Sequence, residues 1–143
     1  MDSIRVTGGR PLDGTVSIQG SKNAALPMMA ASLLHRGVSV LKGCPRIADV
    51  LCMEGILGEM GAVTWWEGHD LYLDCTKADK TEISEVYTGK MRSSVILLGA
   101  MLGRNKKGCL GYPGGCVIGK RPIDLHLLAL RSLGARIEEG PFF

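Results

Sequence analysis

The sequence has no apolar run long enough to cross a bilayer. Its most apolar stretch, AALPMMAASLL, is 11 residues long and is closed by His35 and Arg36, whereas a spanning helix needs roughly 20. The N-terminal MDSIRVTGGR lacks the apolar segment of a secretory leader. No C-x-x-C pair occurs among the five cysteines (44, 52, 75, 109 and 116), and their number is odd. A disulfide framework and a zinc knuckle are both disfavoured, and free thiols in a reducing cytoplasm are expected. Charge of one sign is also scarce. Seventeen basic residues face 14 acidic ones, a net charge of +3, so nucleic acid is disfavoured and any anion must be recognised by a local cluster. What is present is ample apolar material: 143 residues, 45% of them hydrophobic, suit one globular domain with a core and disfavour disorder.

Period-2 alternation in SIRVTG and GTVSIQG predicts two short strands joined as a hairpin across RPLDG. Ser21 reads as the N-cap of a helix from about Lys22 to His35, with Pro27 tolerable in or near the first turn and Gly37 as the stop. VSVLKG predicts a strand, RIADVLCMEGILGEMG a helix ending at Gly61, and AVTWWEGHDLYLDC a hairpin turning at EGHD. Thr88 is the expected cap of a helix through about Arg104, KGCLGY alternates as a strand, and PIDLHLLALRSLG reads as a helix with Pro122 at its first position. A last strand is expected from ARIEEG.

These elements recur. EMGAVTWWEG and SLGARIEEG align Gly61 with Gly134, a shift of 73, while Leu33 aligns with Leu102 at 69, so a β-α-β-α-β-β unit is used twice. The first helix of each unit, AALPMMAASLL and SVILLGAML, is apolar almost all round and is expected to be buried on every side, with helices inside and sheets outside. The second unit stops one strand into its final hairpin and looks cut short.

Cations stand where helix dipoles disfavour them. Lys22 follows the cap Ser21, Lys90 and Arg92 fall in the first turn after Thr88, and Lys120 and Arg121 immediately precede Pro122. Any one of these could simply extend into solvent. Together, at repeated helix starts, they point to one convergent site for a phosphorylated substrate. In YPGGCVIGKRP, Cys116 lies four and five residues before Lys120 and Arg121, which would raise its thiolate fraction. A tight turn with a small buried cysteine is the competing reading, and spacing does not separate the two. The other four cysteines belong to apolar segments. Asp124 is either a partner of the helix dipole or an acceptor for a substrate hydroxyl, and His126 follows it on the same helix start. His35 and His69 fall at a helix end and a turn. Of Trp65 and Trp66, alternation puts one in the core and one outside.

GSKNAALP and PGGCVIGKRPIDLH, at these distances from the N-terminus, closely resemble the enolpyruvyl transferases, in the branch that acts on a nucleotide sugar. TGKMRSS and the LGA helix endings extend the likeness along essentially the whole chain. The shikimate-pathway relative, 3-phosphoshikimate 1-carboxyvinyltransferase, shares the fold but not the cysteine loop. The resemblance implies an inside-out α/β barrel of repeated βαβαββ units, three in each of two domains and incomplete in this chain. Residues 1–20 would be strands that pack with a missing far domain, and residues 21–143 about two repeats of an incomplete substrate-binding domain.

The implied reaction transfers the enolpyruvyl group of phosphoenolpyruvate to the 3'-hydroxyl of UDP-N-acetylglucosamine and releases phosphate, without a metal or organic cofactor. By the same resemblance Cys116 is a general acid that also bonds covalently to the enolpyruvyl carbon, and it is the site alkylated by fosfomycin. Lys22, Arg92 and Arg121 hold phosphate and carboxylate, with Lys22, Asn23 and Arg121 on phosphoenolpyruvate. Asn23, Arg92, Arg121, Pro122, Ile123, Asp124 and Leu125 line the nucleotide sugar. A base aspartate and several arginines would lie in the missing C-terminal two thirds, so this chain alone is expected not to turn over. Lys120, where many relatives have a small residue, and Val117, where others have threonine, depart from the pattern tolerably. A non-catalytic paralogue that binds the nucleotide sugar, and an enzyme acting on shikimate 3-phosphate, are the alternative readings.

Overall fold

Two glycines expose the plan of the fold. In a computed structural model, which describes residues 3–112, 114, 122–140 and 142, Gly61 has a φ of 105° and Gly134 a φ of 95°. That left-handed region is cheap only for a residue without a Cβ. Gly61 follows helix α2 (Ala48–Met60) and Gly134 follows helix α5 (Asp124–Ser132). The N–H of Gly61 donates to the Gly58 carbonyl at 3.0 Å and that of Ala62 to Leu57 at 2.9 Å; Gly134 repeats this on Arg131 at 2.9 Å and Ala135 on Leu130 at 3.0 Å. Both helices therefore end in the same paired-bond motif, which satisfies carbonyls the helix leaves open. The 73-residue shift read from the sequence is a repeated helix terminus.

The first unit runs from α1 (Lys22–Ser32) through β1 (Val38–Leu41) and α2 to β2 (Val63–Glu67) and β3 (Asp70–Asp74). The strands form an antiparallel sheet in the order β1-β3-β2, with Val40 opposite Tyr72 and Tyr72 opposite Trp65. The period-2 pattern sorts the faces: Leu71 and Leu73 are fully buried, while Trp65 stacks on Tyr72 on the outer face, ring centroids 5.0 Å apart. Trp66, on the inner side, donates to Glu54 of α2 at 3.0 Å and lies under the Arg46 guanidinium. Trp66 is thus the packed tryptophan and Trp65 the exposed one. The hairpin turns at Gly68 and His69 as expected.

The second unit holds β4 (Glu82–Ile83), the short helix α3 (Glu85–Thr88), a 3-10 turn over Arg92–Ile96 that runs into α4 (Leu97–Asn105), β5 (Cys109–Leu110) and α5. Strands β4 and β5 pair in parallel. The core is shared. Met29 of α1 and Leu33 just past it, Met53, Ile56, Leu57 and Met60 of α2, and Leu97 and Met101 of α4 have no accessible surface. At its edge Arg104 of α4, its side chain only 2% exposed, donates to the carbonyls of Leu33 and Cys75, each at 2.7 Å, and of Thr76 at 3.3 Å. Asp79 is its ion-pair partner.

Several expectations are corrected. Residues 3–20 form no strand, because Ile4, Val6, Leu12, Val16 and Ile18 are all more than four-fifths exposed and an unpacked two-stranded hairpin is marginal in water. Ser21 occupies the N-cap position but makes no side-chain capping bond, α1 ends at Ser32, and Pro27 lies in the second turn, where it cannot donate to the Asn23 carbonyl. Thr88 is the buried last residue of α3 and caps nothing; Gly89 ends α3, and the helix ahead of Arg104 begins as the 3-10 turn. Pro122 precedes α5 by one residue, Ile123 holding the N-cap position. ARIEEG forms no strand, and only an isolated bridge joins Gly111 to Phe142. Nor is the first helix buried on every side: Met28 of α1, and Leu34 just beyond its end, are half exposed. Among the described residues the two sheets do not close a barrel, and no helix is long and apolar enough to cross a membrane.

Arg104→Met keeps much of the apolar stem and removes the charged head, leaving three carbonyls of two segments without their donor. A loss on the order of 3 kcal/mol is expected in equilibrium urea unfolding; an unchanged midpoint would show that water replaces the guanidinium at no cost.

Candidate functional site

Helix α1 begins where Ser21, in extended conformation, offers its carbonyl to the N–H groups of Ala24 at 3.2 Å and Ala25 at 2.9 Å. Lys22 is therefore the first helical residue, at the positive end of the helix dipole. Its counter-ion is Asp49 in the first turn of α2, with Nζ 2.7 Å from Oδ2. Both side chains line a cleft of about 460 Å³, together with Asn23, Leu26 and Pro27 of α1, residues Lys90–Ser93, Val95, Ile96, and His126 of α5. Arg92 sits at the first position of the 3-10 turn and donates from Nη2 to the Pro122 carbonyl at 3.4 Å. That contact ties the segment ahead of α5 to the cleft.

Among the described residues the cleft has three cations, Lys22, Lys90 and Arg92, against the single carboxylate of Asp49. It also receives the N-terminal ends of α1 and of the 3-10 turn. Surplus positive charge and N-terminal N–H groups at one cleft favour a phosphate or carboxylate ligand. Among the described residues no group of three or more His, Cys, Asp or Glu could hold a metal ion.

The positions named from the sequence fall into three sets. Lys22, Asn23, Lys90 and Arg92 come together in the cleft, and His126 joins them. Pro122 reaches it through its carbonyl alone, Ile123 is buried in the core, and Asp124 and Leu125 are exposed at the start of α5, outside the cleft lining. Cys116, Lys120 and Arg121 lie outside the described residues. Asp49 went unnoticed in the sequence, since an acidic residue in the first turn is what helix dipoles favour anywhere.

The described cysteines behave as the apolar segments suggest. Burial raises the thiol pKa of Cys44, Cys52 and Cys75. For Cys52, one turn after Asp49 on α2, Lys90 pulls the other way and Asp49 adds to the rise.

With this geometry in view, comparison with known proteins gives the class. The profile of the EPSP synthase family (3-phosphoshikimate 1-carboxyvinyltransferase) matches residues 6–141, and the chain belongs to that family. The crystal structure of the enolpyruvyl transferase NikO from Streptomyces tendae superposes with a TM-score of 0.70 at 24% identity, covering 87% of this chain and 27% of that one; this likeness establishes the enolpyruvyl transferase fold.

Sequence relatives narrow the comparison. UDP-N-acetylglucosamine 1-carboxyvinyltransferase 2 of Caldanaerobacter subterraneus subsp. tengcongensis is 45% identical over 140 residues, 98% of this chain and 34% of that protein. The UDP-N-acetylglucosamine 1-carboxyvinyltransferase of Helicobacter pylori is 43% identical over 143 residues and 98% of this chain, and that of Campylobacter fetus 42% over 138 residues and 96%. The chain spans about a third of the length of these curated relatives.

Raised thiol pKa values mean less thiolate at neutral pH. Iodoacetamide at pH 7.5 should modify Cys44, Cys52 and Cys75 more slowly than a free cysteine, with rates still rising at pH values where a free thiol has levelled off. Lys90→Met removes the influence that lowers the Cys52 pKa and should slow that residue further. Mapping the label by mass spectrometry checks this, and rapid labelling of Cys52 would contradict it.

Proposed function

We propose that this chain is the N-terminal part of an enzyme that transfers the enolpyruvyl group of phosphoenolpyruvate to the 3'-hydroxyl of UDP-N-acetylglucosamine, the first committed step of peptidoglycan synthesis. One observation carries the reading: Lys22, Asn23 and Arg92, drawn from two repeats, line a single cleft with surplus positive charge. The names of the relatives at 41–45% identity supply the acceptor. Phosphoenolpyruvate and a nucleotide sugar are soluble metabolites, which puts the reaction in the cytoplasm.

In this scheme Lys22 and Arg121 hold the phosphate and carboxylate of phosphoenolpyruvate, Asn23 lies beside the sugar and the ketal, and Arg92 and residues 121–125 line the nucleotide sugar. Cys116 donates a proton to carbon 3, and carbon 2 becomes cationic. The sugar hydroxyl attacks carbon 2 and gives its proton to a base, forming a tetrahedral ketal. Loss of the carbon 3 proton expels phosphate and restores the double bond. Cys116 also bonds covalently to carbon 2 in a side step. Preorganised cations favour the ketal, with its phosphate still attached, over the planar substrate. The base aspartate and further arginines of the family fold belong to the remaining two thirds, so the 143-residue chain by itself is expected to be inactive.

A second reading, with shikimate 3-phosphate as acceptor, draws on the description of the matching family. The relatives' names and the Gly-Gly-Cys loop weigh against it.

Cys116→Ala in the complete gene product should lower turnover by at least about 100-fold, the usual contribution of a general acid, and abolish alkylation by fosfomycin. Full labelling of the variant would move the acid role to another thiol.

A further inference from the structure

We infer that Asp49 is a positioning residue that holds the Lys22 ammonium for the anionic substrate; this rests on the reading of Lys22 given above. A carboxylate is out of place in a cleft built for anions, because it repels the ligand. The ion pair does little for stability in return, since the side chains of Lys22 and Asp49 are 48% and 39% exposed and pairs so open to solvent contribute little. Its value lies in geometry.

Lys22 reaches the cleft on a flexible four-carbon stem and shares its lining with Lys90 and Arg92, charges of the same sign. Asp49 is fixed. It belongs to the first turn of α2, and its neighbours Val50 and Met53 have no accessible surface. With Oδ2 at 2.7 Å from Nζ, one of the three ammonium N–H groups is engaged and two remain for ligand oxygens. The pair also joins the N-terminal ends of α1 and α2, so the ammonium is set relative to two helix starts rather than one.

Simple charge and positioning predict opposite signs. If Asp49 were only a stray negative charge, neutralising it would tighten the binding of an anion. If it positions Lys22, neutralising it weakens binding despite the more positive cleft.

The test is steady-state kinetics of the complete gene product with Asp49→Asn, Asp49→Ser, Asp49→Glu and Lys22→Ala. For Asp49→Asn the KM for phosphoenolpyruvate should rise about tenfold, a size typical of coupled contacts, with the KM for UDP-N-acetylglucosamine within about twofold of the parent. Asp49→Ser, uncharged but compatible with a helix start, should behave alike and serves if Asp49→Asn fails to fold. Asp49→Glu should recover much of the loss, and Asp49→Asn should add nothing in a Lys22→Ala background. A lower or unchanged KM for phosphoenolpyruvate in Asp49→Asn, beside a clear defect in Lys22→Ala, would overturn this inference alone. No defect in Lys22→Ala would overturn the assignment of Lys22 and this inference with it.

Discussion

The buried guanidinium of Arg104 holds the earlier and later parts of the chain in one frame. It donates to the carbonyl of Leu33 just past α1 and to those of Cys75 and Thr76 just past β3, while it belongs itself to the last turn of α4. A planar group with five donors can serve carbonyls of two separate segments at once, where an ammonium could not span them. The consequence appears at the far ends of the same helices. With the C-terminal ends of α1 and α4 tied together, the start of α1 and the 3-10 turn ahead of α4 meet at the other end, and there the cleft opens.

This arrangement explains the cations. A lysine at the first position of a helix, or an arginine at the start of a 3-10 turn, is locally unfavourable. Each is tolerated where the charge it adds is needed by a ligand or matched by a counter-ion, and Asp49 shows the second case for Lys22. The apolar core supplies rigidity, and residues that violate helix preferences supply recognition. The starts of α1 and of the 3-10 turn, from the earlier and later parts of the chain, come to this one cleft.

Much of this was legible in the sequence, for identifiable reasons. Gly61 and Gly134 announce helix ends because only glycine adopts their φ cheaply, and EGHD announces a hairpin because both flanks alternate. Lys22, Lys90 and Arg92 stood out as misfits. Other features depend on partners that local pattern does not reveal. The alternation in residues 3–20 records a preference for strand, but no described element offers those apolar side chains a surface. Thr88 has the side chain of a cap, and burial decides its role instead. Strand β4 is two residues long and leaves no periodic trace. Asp49 is invisible for the opposite reason: its place in the first turn agrees with every helix rule, and only the approach of Lys22 from another helix gives it a function to propose. The loop around Cys116, the most informative stretch of the sequence, lies outside the described residues, so its chemistry rests on resemblance and on the cations beside it.

The most direct measurement is phosphate release from phosphoenolpyruvate by the complete gene product, with UDP-N-acetylglucosamine and, separately, with shikimate 3-phosphate. Release that depends on the nucleotide sugar is the expected result. Release only with shikimate 3-phosphate, or with neither acceptor from protein shown to be folded, would contradict the proposed transfer.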